Sequence, residues 1–222
     1  MISDSATKHL VIFDCDGVLV DSEVISVKVD QLVLADLGWS ISIEEIIERF
    51  VGRSHAYFLE VVEEHLGRQL PDDWEDAYQH LYREALARDL RLVDGISDAL
   101  EAIDLPICVA SNGSHSKMEF TLKRANLWSR FEGRIFSAAD VDQGKPAPDL
   151  FLHAASTLRF EPTNCVVVED SWAGVTAALE ANMKVIAYTG GISSQHQFPT
   201  ERVVFIDHMS KLPNAIFALI GN

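Results

Sequence analysis

The sequence contains no apolar run approaching the ~20 residues that a membrane-spanning helix needs. Its first eight residues, Met1-Ile-Ser-Asp-Ser-Ala-Thr-Lys8, are polar, so no basic segment leading into an apolar stretch marks a secretory signal, and the expected location is cytoplasmic. Basic residues are scarce: 18 Lys+Arg face 34 Asp+Glu, a formal charge of −16. Such a surface repels phosphate backbones and anionic bilayers, which argues against nucleic acid or membrane as a partner. Cysteine is sparse as well. Cys15, Cys108 and Cys165 are odd in number, far apart and set among Phe, Ile and Val, with no CxxC pair, so they read as buried reduced thiols. There is no internal repeat and no low-complexity stretch, and Pro and Gly are scattered along the chain without a run that resembles a linker.

What remains is ordinary globular material, 222 residues with 48% apolar and 23% charged side chains. Folding at this length buries roughly 70% of the unfolded chain's surface, as one large domain or one domain with an insert. Short β-branched runs at 9–13, 105–110, 134–136, 165–168, 184–188 and 202–206 are continuously apolar, the pattern of parallel strands covered on both faces. Amphipathic stretches at 96–103, 117–127, 148–158, 174–181 and 211–220 alternate with them, which predicts a doubly wound, Rossmann-like α/β fold. One interval breaks the alternation. Residues 19–90 show no strand signal and four helical patterns, at 22–37, 43–50, 55–66 and 72–90. The expected division is an α/β core from 1–18 and 91–222 with an all-α helical-bundle subdomain at 19–90, whose 16 acidic and 6 basic residues suggest a mostly solvated surface.

The first strand runs into Phe13-Asp14-Cys15-Asp16-Gly17. Ligands of open α/β sheets bind beyond the carboxyl ends of the strands, so Asp14 and Asp16 arrive where chemistry is expected. Residues two apart on extended chain point to one side, about 6.6 Å apart. Two crowded carboxylates need a cation or a shared proton, and Mg²⁺ is a hard, oxygen-seeking candidate. Read alone, the segment is equally a turn with solvated carboxylates. The second strand leads into Ser111-Asn112-Gly113, where a hydroxyl and helix-start amides make a natural anion site, or simply a helix cap. Lys145 sits in Gly144-Lys145-Pro146-Ala147-Pro148, a stiff loop able to aim an ammonium at a phosphoryl oxygen. The fourth apolar run ends in Glu169-Asp170-Ser171, acidic residues for which a structural role is hard to supply.

Strand-DxD, strand-Ser, Lys-Pro and strand-Glu-Asp, in that order, closely resemble the four motifs of the haloacid dehalogenase-like (HAD) phosphohydrolase superfamily, over residues 10–187. The interval 19–90 resembles that family's α-helical cap. The resemblance implies a Mg²⁺-dependent phosphatase. Asp14 matches the nucleophile that accepts the phosphoryl group, and Asp16 the general acid/base. Ser111, the Asn112 N–H and Lys145 match the groups that hold phosphoryl oxygens. Asp170, with Glu169 beside it or one shell behind, matches the acidic pair that holds Mg²⁺ together with Asp14 and the Asp16 carbonyl. Substrate contacts are expected from Gly113, Lys117 and the segment Gly52-Arg53-Ser54-His55, which resembles the cap's specificity loop. An exposed helix-connecting turn is the plain reading of that segment. The opening Phe-Asp-Cys-Asp-Gly and the Ala-Ser-Asn-Gly segment look most like bacterial sugar-phosphate and 6-phosphogluconate phosphatases. A small phosphorylated metabolite is therefore the expected partner, and monomer or weak dimer the expected state.

Three other activities compete. Haloacid dehalogenation does not need the second aspartate, which is present. A sugar-phosphate mutase of the β-phosphoglucomutase type shares every motif, but where the mutases carry a His after the DxD loop this chain has Ser26. A phospho-receiver signalling module also combines Asp, Ser/Thr and Lys on an α/β sheet, yet lacks a helical insert and is about half as long.

Overall fold

The computed structural model describes residues 9–51, 55–192, 198 and 202–221, with the backbone alone at 55 and 56. Six strands form one parallel sheet: β1 (Leu10–Phe13), β2 (Ile107–Ser111), β3 (Ile135–Ser137), β4 (Cys165–Glu169), β5 (Lys184–Tyr188) and β6 (Val203–Ile206), in the order β3-β2-β1-β4-β5-β6. Strand order reverses between β1 and β4, whose register pairs Phe13 with Val168. This reversal opens a crevice at the carboxyl ends of those two strands.

Successive strand residues point to opposite faces, and each face has its own apolar cluster. Val11 and Phe13 join Val109, Val166 and Val168 on one side, while Leu10 and Ile12 join Cys108, Cys165 and Val167 on the other. The first face is covered by α5 (Ile96–Ala102), α6 (His115–Arg124), α7 (Trp128–Phe131) and α10 (Leu212–Ile220), and the second by α8 (Asp149–Thr157) and α9 (Trp172–Glu180). The three cysteines are free and buried. Burial pushes their thiols up, Cys165 to about 12, so none is poised for thiolate chemistry at neutral pH.

Between β1 and β2 the chain makes α1 (Glu23–Leu37), α2 (Ile43–Phe50), α3 (His55–Leu66) and α4 (Gln79–Asp89). The capping box of Ser42 and Glu45 starts α2, and Gly38 ends α1 at φ 105, a left-handed conformation that suits glycine. Helices α1, α2 and α3 enclose a third cluster around Leu34, Trp39, Ile46, Phe50 and Val62. The other side of α1, at Ile25, Val29 and Val33, packs with Ala85 and Leu86 of α4 into the core beneath the first sheet face.

Two helical expectations need correction. The stretch expected as one helix over 72–90 is a 3-10 turn, Trp74–Ala77, followed by α4. Asp72, Asp73, Glu75 and Asp76 would crowd like charges on a continuous first turn, and the turn also lays Trp74 parallel to Phe58, ring centroids 6.4 Å apart. The helix expected over 117–127 starts earlier, where the Ser114 hydroxyl accepts from Lys117 N–H, and breaks before Asn126, whose φ of 58 is left-handed.

Ile46 is fully buried at the centre of the third cluster. Ile46→Ala is expected to lower unfolding free energy by about 2–5 kcal/mol in urea denaturation. A loss below about 1 kcal/mol would show that these helices are not close-packed around it.

Candidate active site

Asp14 follows directly on β1, its N–H bonded to the Val168 carbonyl at 3.0 Å, so β4 fixes where the acidic loop leaves the sheet. The loop then turns tightly, with Leu19 and Val20 N–H both reaching the Cys15 carbonyl and Gly17 N–H reaching that of Val20 at 2.8 Å. Gly17 has φ +76, and a Cβ there would lie 2.0 Å from Asp170 Oδ2. Only glycine fits, and its bareness lets the Asp170 carboxylate settle against the turn between Asp16 and Val18.

Lys145 is the centre of the arrangement. Its ammonium lies 2.5 Å from Asp14 Oδ1 and 2.6 Å from Glu169 Oε1, over the Phe151 ring at 4.8 Å, with the side chain 3% exposed. Burial works against its charge, but Asp14 and Glu169 outweigh burial and hold Lys145 protonated. Burial pushes the Asp14 carboxyl up to about 7, with Lys145 opposing and Glu169 and Asp16 reinforcing. The Lys145 backbone is held by Asn112, which donates through Nδ2 to the Lys145 carbonyl at 3.0 Å and accepts its N–H at 2.9 Å. The Lys145–Pro146 peptide is cis.

Glu169 is turned away from solvent and fully engaged. One oxygen accepts Lys145, and the other accepts the N–H groups of Asp170 and Ser171 and the Ser171 hydroxyl, all at the start of α9. The carboxylate lies over the first turn of that helix, where Gly174 leaves space: a Cβ there would fall 1.8 Å from Glu169 Oε1. Helix-start donors and dipole favour this placement of a negative charge.

Asp16 sits at the opposite side of the crevice. Its Oδ1 accepts from the Ser22 hydroxyl and its Oδ2 from Lys117 Nζ at 2.7 Å. Desolvation opposes the Lys117 charge, and Asp16 more than compensates, so its pKa is raised. Ser111 ends β2 buried, its hydroxyl accepting from Gly113 N–H at 3.2 Å. Gly113 lies where these groups meet: a Cβ on it would stand 3.5 Å from Ser111 Oγ, 3.6 Å from Lys117 Cδ and 3.9 Å from Asp16 Oδ2.

The structure thus gathers Asp14, Asp16, Ser111, Asn112, Gly113, Lys117, Lys145, Glu169 and Asp170 around the β1/β4 crevice. Gly52, Arg53 and the side chain of His55 lie outside the described residues. Sequence reading missed the Asn112 side chain as the clamp on Lys145, Ser22 as a partner of Asp16, and Gly174. A glycine within the first turn of a helix, where it weakens helical order, was the available signal for the last.

With every group ionised, four carboxylates against two ammonium groups would leave two negative charges in the crevice, and this repulsion adds to burial in holding the Asp14 carboxyl up. Among the described residues no group of three His, Cys, Asp or Glu side chains converges as a ready-made metal cage. The carboxylates of Asp14 and Asp170, on the β1 loop and against the Gly17 turn, are oxygen donors of the kind Mg²⁺ takes, an ion that commonly uses only one or two carboxylates and keeps several waters.

A family model for haloacid dehalogenase-like hydrolases matches residues 8–182. The chain is 33% identical over 209 residues to the 6-phosphogluconate phosphatase of Escherichia coli, covering 91% of this chain and 92% of that one. A haloacid dehalogenase-like protein of unknown function from Agrobacterium tumefaciens superposes with a TM-score of 0.82 at 37% identity, over 95% of this chain and 98% of that one. A HAD family hydrolase from Deinococcus radiodurans, crystallised with bound phosphate and sodium, superposes with a TM-score of 0.74 at 28% identity, over 96% and 97% of the two chains. With its sheet order, its acidic crevice and these similarities, the chain belongs to the haloacid dehalogenase-like hydrolases.

Proposed function

We propose that the protein is a Mg²⁺-dependent phosphatase that hydrolyses a small phosphorylated metabolite, a sugar phosphate or 6-phosphogluconate-like ester, through an aspartyl phosphate. The observation that carries this reading is the Lys145 ammonium buried between Asp14 and Glu169 at the sheet's switch point, with Asp170 packed on the Gly17 turn beside it. The name of the Escherichia coli relative supports the substrate class.

In this reading Asp16, whose two oxygens both accept hydrogen bonds in this structure, takes up a proton as substrate binds; Asp14 attacks phosphorus, and the ester oxygen leaves with that proton. Asp16 then takes a proton from a water that attacks the aspartyl phosphate, which releases inorganic phosphate and restores Asp14. Ser111, the Asn112 N–H and Lys145 hold the phosphoryl oxygens while charge redistributes. Asp14, Asp170 and the Asp16 carbonyl would hold Mg²⁺, which would supply the charge neutralisation that admits an anionic substrate. Glu169 has both oxygens occupied and serves to position Lys145 rather than to bind metal. Residues 19–90 act as a cap joined to the core by two strands of chain that bridge at Val20 and Leu92. Ser26 lines the cavity facing Asp16 and has no proton to exchange near neutral pH, which weighs against the mutase alternative.

Asp14→Asn keeps the shape of the side chain and removes the nucleophile, so phosphate release is expected to fall by roughly three orders of magnitude or more. Retention of a tenth of wild-type turnover would eliminate Asp14 as nucleophile. Chelator should abolish turnover, and Asp170→Asn should raise the Mg²⁺ concentration for half-maximal activity at least about tenfold with little change in Tm. If Tm collapses while the Mg²⁺ response stays put, Asp170 is structural. Gly→Ala within a helix ordinarily stabilises by about 0.5–1 kcal/mol. Gly174→Ala should do the reverse, lowering Tm and kcat together, because the new methyl displaces Glu169 from Lys145; an unchanged kcat would separate Glu169 from the reaction.

A further inference from the structure

A cavity of about 460 Å³ rises from Asp16 into the helical segment, and its two walls differ in chemistry. One wall is apolar, built by Ile46, Phe50, Val51 and Phe58. The other runs along α1, where Ser22, Ser26 and Asp30 recur at i, i+4 and i+8 and so share one helix face. Each step rises about 6 Å, so the row carries polar groups roughly 12 Å outward from the Ser22–Asp16 hydrogen bond. At its far end Asp30 Oδ1 accepts the Tyr82 hydroxyl of α4, a contact spanning 52 residues of sequence. Burial pushes the Asp30 carboxyl up to about 6, with Tyr82 lowering it and Glu75 raising it, so it remains mainly ionised at neutral pH. Tyr82 also borders a second, larger cavity of about 1040 Å³ that opens between α4 and α6.

A half-buried carboxylate fixed by a tyrosine at the distal end of a substrate cavity is a strong acceptor for a hydroxyl and a repellent for a second anion. We propose that Asp30, oriented by Tyr82, is a specificity determinant that reads an uncharged, hydroxyl-bearing end of the leaving group and disfavours a carboxylate-ended one. This assignment rests on the phosphatase reading above and narrows it to esters with an uncharged far end, whereas the name of the Escherichia coli relative denotes a carboxylate-bearing substrate. The apolar wall complements the carbon–hydrogen face of such a polyol, while Ser26 offers a hydroxyl midway along it.

The test compares sorbitol 6-phosphate with 6-phosphogluconate, two six-carbon esters that differ at the far end, and takes each kcat/KM as a ratio to the same variant's rate on acetyl phosphate, which is too small to reach Asp30. The wild type should favour sorbitol 6-phosphate. Asp30→Asn should lower that preference at least about tenfold, the scale of one charged hydrogen bond, mainly through KM, with the two substrates moving in opposite directions. Tyr82→Phe, which keeps the ring and frees Asp30, should shift the preference the same way and by less; it also decides the matter if Asp30→Asn does not fold. A parallel loss on both substrates, or a preference unchanged within twofold in the variants that fold, overturns the assignment. Absence of acetyl phosphate hydrolysis by wild type with Mg²⁺ overturns the phosphatase reading and this assignment with it.

Discussion

A buried ammonium is costly unless carboxylates surround it, and Lys145 has two. Much of the molecule can be understood as what it takes to bring those three charges together. Asp14 and Glu169 come from neighbouring strands, so β1 must lie beside β4, and the strand-order reversal at that point follows from the same pairing. Lys145 arrives on a loop whose path Asn112 fixes through both polar groups of the Lys145 backbone. The amides at the start of α9 hold the second oxygen of Glu169 and so fix the side from which its first oxygen meets the lysine. Removing one partner of such an assembly leaves an uncompensated buried charge, a loss of about 3–5 kcal/mol. Stability and site geometry therefore depend on one contact set.

The strands and most helices were legible because their signals are local. Continuous β-branched runs have no other use than two-sided burial, and β1, β2 and β4 are buried at every residue. Asp14, Asp16, Ser111, Glu169 and Asp170 were legible for a related reason: each stands at or just beyond the end of such a run, where the sheet must deliver it to one edge, whereas Lys145 lies on a loop and Lys117 on a helix. What stayed hidden are contacts across long stretches of chain. Asn112 and Lys145 are 33 residues apart and Tyr82 and Asp30 are 52 apart, with no periodicity linking either pair. The break of the expected 72–90 helix had a visible cause in its acidic first turn, but the amphipathic pattern across it was equally visible, and tertiary packing of Trp74 on Phe58 decided between them.

Charge counting misled in an instructive way. The excess of acids in residues 19–90 reads as a solvated surface, and for most of them that is right. Glu23, Asp30 and Glu75 instead line the cavity above Asp16. Composition cannot separate the two cases because a helix shows the same residues to solvent or to a cleft according to how it is rotated. Helix α1 makes the point: Val29 and Val33 face the core, while Ser26 and Asp30 face the cavity.

The position of Asp16 shows how the two halves of the chain meet. Its carboxylate is shared between Ser22, which starts the helical segment, and Lys117, which belongs to a core helix. The stretch from Asp14 to Ser22 is therefore at once the exit from a sheet strand, the acidic loop and the connection into α1. Val20 bridges to Asp16 on one side and to Leu92 on the other, so the outgoing and returning connections are tied at one residue. Rotation of the helical segment about these connections would pull on the Ser22 hydroxyl and change what holds Asp16, whereas Asp14, anchored to Val168 and Lys145, would stay where the sheet puts it. In the proposed mechanism this divides the two aspartates by mechanical environment as well as by chemistry: the nucleophile belongs to the rigid sheet, and the proton carrier belongs to the moving joint.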